Sequence, residues 1–340
     1  MSSRFKKITI YDVAERAGVA ISTVSRVLNS SPNVSEDTRR KVDEAIKELR
    51  FRPQVSARHL ASRKPQMLAI AVPSFTTPFY NEVLKGVKDE IQEMDLDIII
   101  YNTGSKNPAE AVENFFDRGT ADAVIVISIE ISDNVDERLQ SSGIPAVLIA
   151  TAHPSYDYFE LNDYKGGYMA AEHLIGQGYS RLGAILPAIA TQASRERLRG
   201  FKQALLDHRL PVSDSLFVSG HSTKHAGFTE EAGFEAIYEF QKRGEFPEAL
   251  FALNDTQAVG ALYALSGLGM KVPEDIAIMG YDNIKLSRYL DLTTIDQQMH
   301  SVGIRATKRL SEIIKNPDLK PMQTTLDPVL VPRNSTRKAV

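Results

Sequence analysis

The chain contains no cysteine, which removes disulfides, thiolate metal sites and cysteine nucleophiles from consideration. It has no run approaching the ~20 apolar residues of a membrane helix, so no membrane partner is expected. Behind Arg4, Lys6 and Lys7 there is no apolar stretch of the kind a secretory signal carries, so a cytoplasmic protein is expected. Low-complexity tracts are absent. Nothing matches Gly-x-Ser-x-Gly, a P-loop or the glycine fingerprint of dinucleotide-binding folds. Paired catalytic carboxylates do not stand out either, and neither an enzyme nor a cofactor is expected. His221 and His225 are four residues apart. Gly220 and the intervening Ser-Thr-Lys read as loop, and no third ligand is evident, so no metal is expected.

What is present suits a protein of two or three globular domains: 340 residues, 43% of them hydrophobic and 24% charged. The net charge of −3 conceals an asymmetry. Residues 1–64 carry 14 Lys/Arg against 7 Asp/Glu, whereas the remaining 276 residues carry 26 against 36. A basic head on an acidic body is the footprint of a segment that meets phosphates, joined to one that does not.

The head reads as three helices. Thr9 and Asp12 mark a helix start, and Ile10, Val13, Ala14 and Ala17 then share one face. Gly18 follows where a left-handed turn is wanted. A second helix spans about Ile21 to Leu28. Ser35 caps a third, with Glu36 and Asp37 in the first turn, where the helix dipole favours anions. Pro53 ends it. Residues 53–66 read as a linker whose only large apolar residues are Val55 and Leu60. From Met67 onward, apolar runs such as Leu68–Val72, Ala123–Ile127 and Leu250–Leu253 alternate with amphipathic helical segments. That is the pattern of parallel sheets covered on both faces. The length exceeds one doubly wound domain, so two are expected.

The head segment Thr9-Ile-Tyr-Asp-Val-Ala, then Ala17-Gly-Val, then Thr23-Val-Ser-Arg-Val-Leu-Asn29 resembles the helix-turn-helix of the LacI/GalR family. The likeness continues through Val34-Ser35, Thr38-Arg39, Pro53 and Ala57-x-x-Leu60. The body resembles the family's periplasmic-binding-protein-like sensor at Pro78-Phe-Tyr80, Asn162-Asp-Tyr-Lys-Gly-Gly-Tyr168, Arg197-Leu-Arg-Gly-Phe201, Asn254-Asp255, Gly280-Tyr-Asp-Asn283 and Leu292-Thr-Thr-Ile295. The resemblance implies an all-α helix-turn-helix head (1–52), a hinge (53–66) and an α/β sensor of two doubly wound parallel-sheet subdomains (67–340). It puts one subdomain at about 67–161 and 293–325 and the other at about 162–292 and 326–340, with crossings near 162, 292 and 326.

It further implies a transcriptional regulator that binds a near-palindromic double-stranded DNA operator as a homodimer. Repression is the expected mode, under control of a small-molecule effector. Ile21, Ser22 and Arg26 would read bases, because an arginine can donate two hydrogen bonds to guanine and an isoleucine can meet a thymine methyl. Thr9, Tyr11, Thr23, Ser25 and Asn29 would hold phosphates, which position without specifying. The alternatives are a plain N-cap for Thr9, a packed ring for Tyr11 and an acidic partner for Arg26. In the hinge, Ala57 and Leu60 match family positions; the resemblance implies a minor-groove wedge for Leu60, the alternative being a leucine packed on the sensor domain, and Arg58 would approach phosphates. Leucine heptads are missing after Val331, which favours a dimer over a tail-linked tetramer.

Carried over by position, the effector residues are Phe79, Tyr80, Ser128, Asn162, Asp163, Arg197, Asn254, Asp255 and Asp282, at the carboxyl ends of strands. An arginine and a carboxylate facing one cleft suit a polyol, since each hydroxyl both donates and accepts. Some relatives with charged or planar ligands place an arginine within 187–194. This chain has Thr191 there, so a sugar or sugar derivative is the expected effector. Regulation by a phosphorylated protein, instead of or beside a sugar, remains open. A solute-binding transport protein would share the sensor but not the basic head.

Overall fold

The computed structural model describes residues 8–28, 31, 33–49, 51, 67–92, 94, 96–104 and 107–338. The chain divides into two units, Met1–Gln66 and Met67–Val340.

Among its described residues the first unit holds three helices: α1 (Ile10–Ala17), α2 (Ile21–Leu28) and α3 (Glu36–Leu49). At the start of α1 the Asp12 carboxylate accepts hydrogen bonds from the Thr9 N–H and hydroxyl at 2.7 and 2.6 Å, which ties down a donor the helix cannot use. Gly18 ends α1 at φ 66°, a left-handed conformation that lets the chain turn at once into α2. Val13, Ala14, Val24, Val27, Val42 and Ala45 form the core. Each helix contributes two of them, at helical spacing, so the three pack as one unit despite their shortness. Arg16 pairs with Glu48 between α1 and α3.

Among the described residues of the second unit twelve strands follow in chain order: β1 (Met67–Val72), β2 (Asp97–Asn102), β3 (Ala123–Ile127), β4 (Ala146–Ile149), β5 (Asp157–Leu161), β6 (Leu182–Leu186), β7 (Phe217–Ser219), β8 (Ala249–Ala252), β9 (Ala277–Met279), β10 (Thr294–Asp296), β11 (Gln323–Leu326) and β12 (Val329–Val331). The helices between them are α4 (Pro78–Ile91), α5 (Pro108–Phe116), α6 (Asp133–Ser142), α7 (Asp163–Gly176), α8 (Gln192–Asp207), α9 (Glu230–Arg243), α10 (Asp255–Gly267), α11 (Lys285–Tyr289) and α12 (Met299–Lys315).

One lobe is a parallel sheet in the order β11-β5-β4-β3-β1-β2, and the other is a parallel sheet in the order β7-β6-β8-β9. Both faces of each sheet are covered. Along β1, Leu68, Ile70 and Val72 pack in one cluster with α4 and α12 residues, while Ala69 and Ala71 pack in another with Phe115 and Leu139. Along β8 the same alternation separates Ala249 and Phe251 from Leu250 and Ala252. A strand buried on both sides has no polar side to offer, which is why these runs are continuously apolar. Edge strands β11 and β2 are less covered, β11 with no buried residue and β2 with Ile98, Ile99 and Ile100 at 38%, 37% and 46% exposure.

The chain passes between the lobes at Asn162, at Gln297–Gln298 and at Asp327–Pro328. The second crossing falls after β10 rather than near 292. Thr293 and Ile295 carbonyls accept from the Gly280 and Asp282 N–H groups at 2.9 and 2.8 Å, which keeps that stretch on the second lobe. Among the described residues no helix is long and apolar enough to cross a membrane.

Candidate nucleic-acid interface and ligand cavity

On the first unit, the side of α2 that avoids the core presents Ile21, 41% exposed, with Ser22 and Arg26, both exposed. No carboxylate pairs with Arg26 among the described residues, so its guanidinium is available. Tyr11 stands 68% exposed on α1 and does not pack. Thr23 and Ser25 are half-buried. Thr9 is the N-cap residue of α1, its hydroxyl donating to Asp12. Asn29, Ala57, Arg58 and Leu60, with the rest of the hinge 53–66, lie outside the described residues.

In the second unit a cavity of about 840 Å³ opens between the lobes. The lobes meet it at strand carboxyl ends and helix N-termini, where polar ligands are favoured. Of the nine expected effector residues, Phe79, Tyr80, Ser128, Asn162, Asp163, Arg197, Asn254 and Asp282 line it. Asp255 does not. Its carboxylate is sealed inside the second lobe, where it accepts from Ser287 Oγ, Thr294 Oγ1 and the Ile284 N–H at 2.6, 2.6 and 2.9 Å. The expectation for Asp255 is therefore corrected: it fixes the loop behind Asp282. Sequence adjacency to Asn254 misled because the strand-to-helix turn sends consecutive side chains in different directions.

The centre of the cavity wall is a charged cluster. Two glycines make it possible. A Cβ on Gly167 would come within 1.8 Å of the Arg197 carbonyl oxygen, and one on Gly200 within 1.9 Å of the Tyr164 carbonyl oxygen. Only glycines allow α7 and α8 to touch backbone to backbone. That contact brings Asp163 Oδ1 to 2.7 Å from Arg197 Nε. Arg197 also donates to the Leu253 carbonyl at 2.7 Å, lies 3.8 Å from Asp282 Oδ1, and stacks 3.8 Å from the centre of the Tyr281 ring. It is 5% exposed, so it is a buried hub rather than a solvated helix residue. Burial opposes its charge, but Asp163 and Asp282 outweigh that and raise its pKa.

Burial likewise raises Asp163 against the pull of Arg197. It pushes the Asp282 carboxyl up to about 8, again against Arg197. Asp282 takes φ 110°, and Ser128, across the cavity, takes φ 54°. Strained non-glycine backbone of this kind persists where the surroundings enforce it, and it clusters at functional sites. Asp282 Oδ1 accepts from Gln297 Nε2 at 2.5 Å. Opposite, the Phe79 and Tyr80 rings meet edge to face at 5.0 Å, and burial pushes the Tyr80 hydroxyl up to about 12. Thr77 Oγ1, also at the cavity, is buried with no partner among the described residues.

Two expected residues have side chains with further duties. Asn162 donates to Asp327 and accepts from the Lys165 N–H, and Asn254 accepts from the Gln257 N–H as the cap of α10. Residues that sequence reasoning did not assign to the cavity include Thr77, Tyr164, Phe228 and His225. Phe228 had a weak signal, an aromatic residue in a loop beside a helix start. His225, weighed only as a metal ligand, sits at φ 49° in that loop.

A head whose described residues form three helices with an exposed face on α2, together with a two-lobed α/β unit that encloses a polar cavity, defines a DNA-binding regulator with a ligand-sensing domain. The comparisons agree. The family described as "Bacterial regulatory proteins, lacI family" matches residues 9–54, and "Periplasmic binding protein-like domain" matches residues 171–336. The HTH-type transcriptional repressor PurR of Actinobacillus pleuropneumoniae serotype 3 (strain JL03) is 33% identical over 338 residues, covering 97% of this chain and 98% of that one. Among solved structures, the transcriptional regulator CelR–cellobiose complex is 28% identical with a TM-score of 0.69, covering 96% of this chain and 99% of its own. The lac repressor dimer bound to operator and the anti-inducer ONPF is 25% identical with a TM-score of 0.75, covering 97% and 99%. The chain belongs to the lacI family of bacterial transcriptional regulators.

Proposed function

We propose that this regulator is a cytoplasmic homodimeric repressor whose effector is an uncharged sugar held in the cavity of the second unit. The observation that carries the sugar is the Arg197 cluster. One guanidinium faces two carboxylates, Asp163 and Asp282, all three buried. The cluster has no surplus positive charge with which to attract a phosphate or carboxylate. It does offer both donors and acceptors, which is what a row of hydroxyls needs. Thr77 Oγ1 adds a polar atom in want of a partner, and Phe79, Tyr80 and Phe228 supply apolar rings for the C–H faces of a sugar. Cellobiose bound to the CelR relative is in keeping with this chemistry.

On the DNA side, Ile21, Ser22 and Arg26 read bases in the major groove, and Leu60 of each protomer wedges into the central step of a near-palindromic operator. Sugar binding changes operator affinity, and the operator in turn changes sugar affinity by the same factor.

Thermal unfolding of the full chain against neutral sugars, sugar phosphates and sugar acids tests the reading. A ligand of the folded state raises the midpoint by mass action. A shift with a neutral sugar, abolished in Asp282→Ala, is the expected result. A shift only with anionic sugars would overturn the charge argument. No shift with any of them would transfer the reading to a protein co-regulator.

A further inference from the structure

The third crossing, Asp327–Pro328, runs between the other two. On its near side β11 lies parallel to β5 up to the pair Leu326 and Leu161, so it begins beside the first crossing. On its far side β12 pairs antiparallel with β10, Val329 opposite Asp296, so it ends beside the second. Asp327 is bonded to both neighbours. Its carboxylate accepts from Asn162 Nδ2 at 3.0 Å and from Lys165 Nζ at 2.5 Å. Its carbonyl accepts from Gln298 Nε2 at 3.3 Å.

Both connections lead to the cavity wall. Asn162 lines the cavity, and its Oδ1 accepts from the Lys165 N–H at 3.0 Å. That caps α7, whose first residue, Asp163, holds Arg197. In the other direction Gln297, next to Gln298, donates to Asp282. One residue on the middle crossing is thus joined through each outer crossing to an opposite side of the charged cluster. Lys165 and Asn162 hold the Asp327 carboxyl below its ordinary range.

We propose that Asp327 is a positioning residue that locks the three crossings into one unit, so that the Asn162–Asp163 wall and the Asp282 wall keep their relative placement when the lobes move. An exposed ion pair is worth little by itself, and Asp327 and Lys165 are 57% and 48% exposed. The effect comes instead from gathering on one residue bonds from segments far apart in sequence. The importance of those walls rests on the effector reading above, but the lock itself is testable with no effector present.

The experiment is hydrogen exchange on the full-length protein, comparing wild type, Asp327→Asn and Asp327→Ala. The Asn variant keeps the shape and the acceptor for Asn162 but loses the charge that holds Lys165. The Ala variant loses both. The reporters are the N–H groups of Asn162, Lys165 and Gln298, which are bonded to the Leu326 carbonyl, Asn162 Oδ1 and Asp296 Oδ1. All three should exchange faster, roughly tenfold in Asp327→Ala and less in Asp327→Asn, while the interior of β8 is unchanged. About 1 M KCl, which screens the ion pair, should move wild type toward the Asn pattern and leave the Asn variant where it is. Acceleration confined to residues 325–329, sparing Gln298 and Lys165, would overturn the lock, as would no acceleration in a folded variant. If Asp327→Ala loses protection everywhere, the Asn variant and the salt response decide. A protein that shows this exchange pattern yet binds no sugar would sink the effector reading and leave the lock standing.

Discussion

At the scale of single residues, the Arg197 cluster, on which the proposed sugar site rests, also carries a pH response. Asp282 has an ordinary pKa of 3.8 that burial raises to about 8. The folded protein therefore holds this proton more tightly than the unfolded chain does. Its contribution to stability is complete below pH 3.8 and is lost as pH rises through about 8. Asp282→Asn removes that dependence. The stability of the variant minus that of wild type should grow between about pH 4 and about pH 8, then level off, in urea titrations across that range. A flat difference would mean that Asp282 stays ionised throughout. Above about pH 8, where Asp282 is ionised, the same substitution replaces a carboxylate acceptor with an amide and should weaken sugar binding by roughly tenfold or more, since hydrogen bonds to charged groups are the stronger ones. On the DNA side, Arg26→Ala should lose ~1–3 kcal/mol for the preferred operator and flatten the preference at one base pair per half-site, read by competition with operator variants. Equal loss for all sequences would make Arg26 a phosphate contact.

At the scale of elements, the contact of α7 with α8 is what makes a site of Asp163 and Arg197. Gly167→Ala places a methyl group inside the Arg197 carbonyl, so the helices must part. Overpacking of this kind typically costs ~1–3 kcal/mol. Both the melting midpoint and sugar affinity should fall, whereas Gly176→Ala, near the end of the same helix with open space around it, should change neither. Sugar binding unchanged in a destabilised Gly167→Ala would show that the helix contact does not shape the site. This contact also marks how far the sequence can be read. The head helices, their caps and the alternation of covered strands were legible because each is written in local periodicity: Val13 and Ala14, Gly18, and the runs at Leu68–Val72 and Leu250–Leu253. Most cavity positions were legible from motif and strand end. Asp255 was misassigned because two adjacent polar residues at a strand end look alike, whereas the backbone sends one to the cavity and the other to Ser287 and Thr294. Gln297 and Asp327 carry no local pattern. Their roles exist only in the folded chain, where Gln297 meets Asp282, 15 residues away, and Asp327 meets Asn162, 165 residues away.

At the scale of the whole molecule, the question is what covers the apolar surface that each protomer exposes. Edge strand β2 shows Ile98, Ile99 and Ile100 to solvent, and an exposed apolar edge is a liability unless something covers it. On the other lobe Phe234 and Tyr263 lie with ring centres 6.0 Å apart, and Tyr263 is 75% exposed. Aromatic residues exposed in this way are typical of protein interfaces. The homodimer proposed above would supply a second copy of the chain as the occupant, and in such a dimer two heads on one operator would bind far more tightly than one. Ile99→Lys and Tyr263→Asp each place a charge in an apolar surface without touching the cavity. Each should therefore shift sedimentation equilibrium from dimer toward monomer and weaken operator binding by ~10²-fold or more, with sugar-induced thermal shifts retained. Combining the two should leave a monomer whose residual DNA affinity no longer distinguishes a palindrome from a single half-site. A double variant that still sediments as a dimer would place the interface elsewhere. A monomeric variant with full operator affinity would mean that a single head is sufficient, and the near-palindromic operator would go with it.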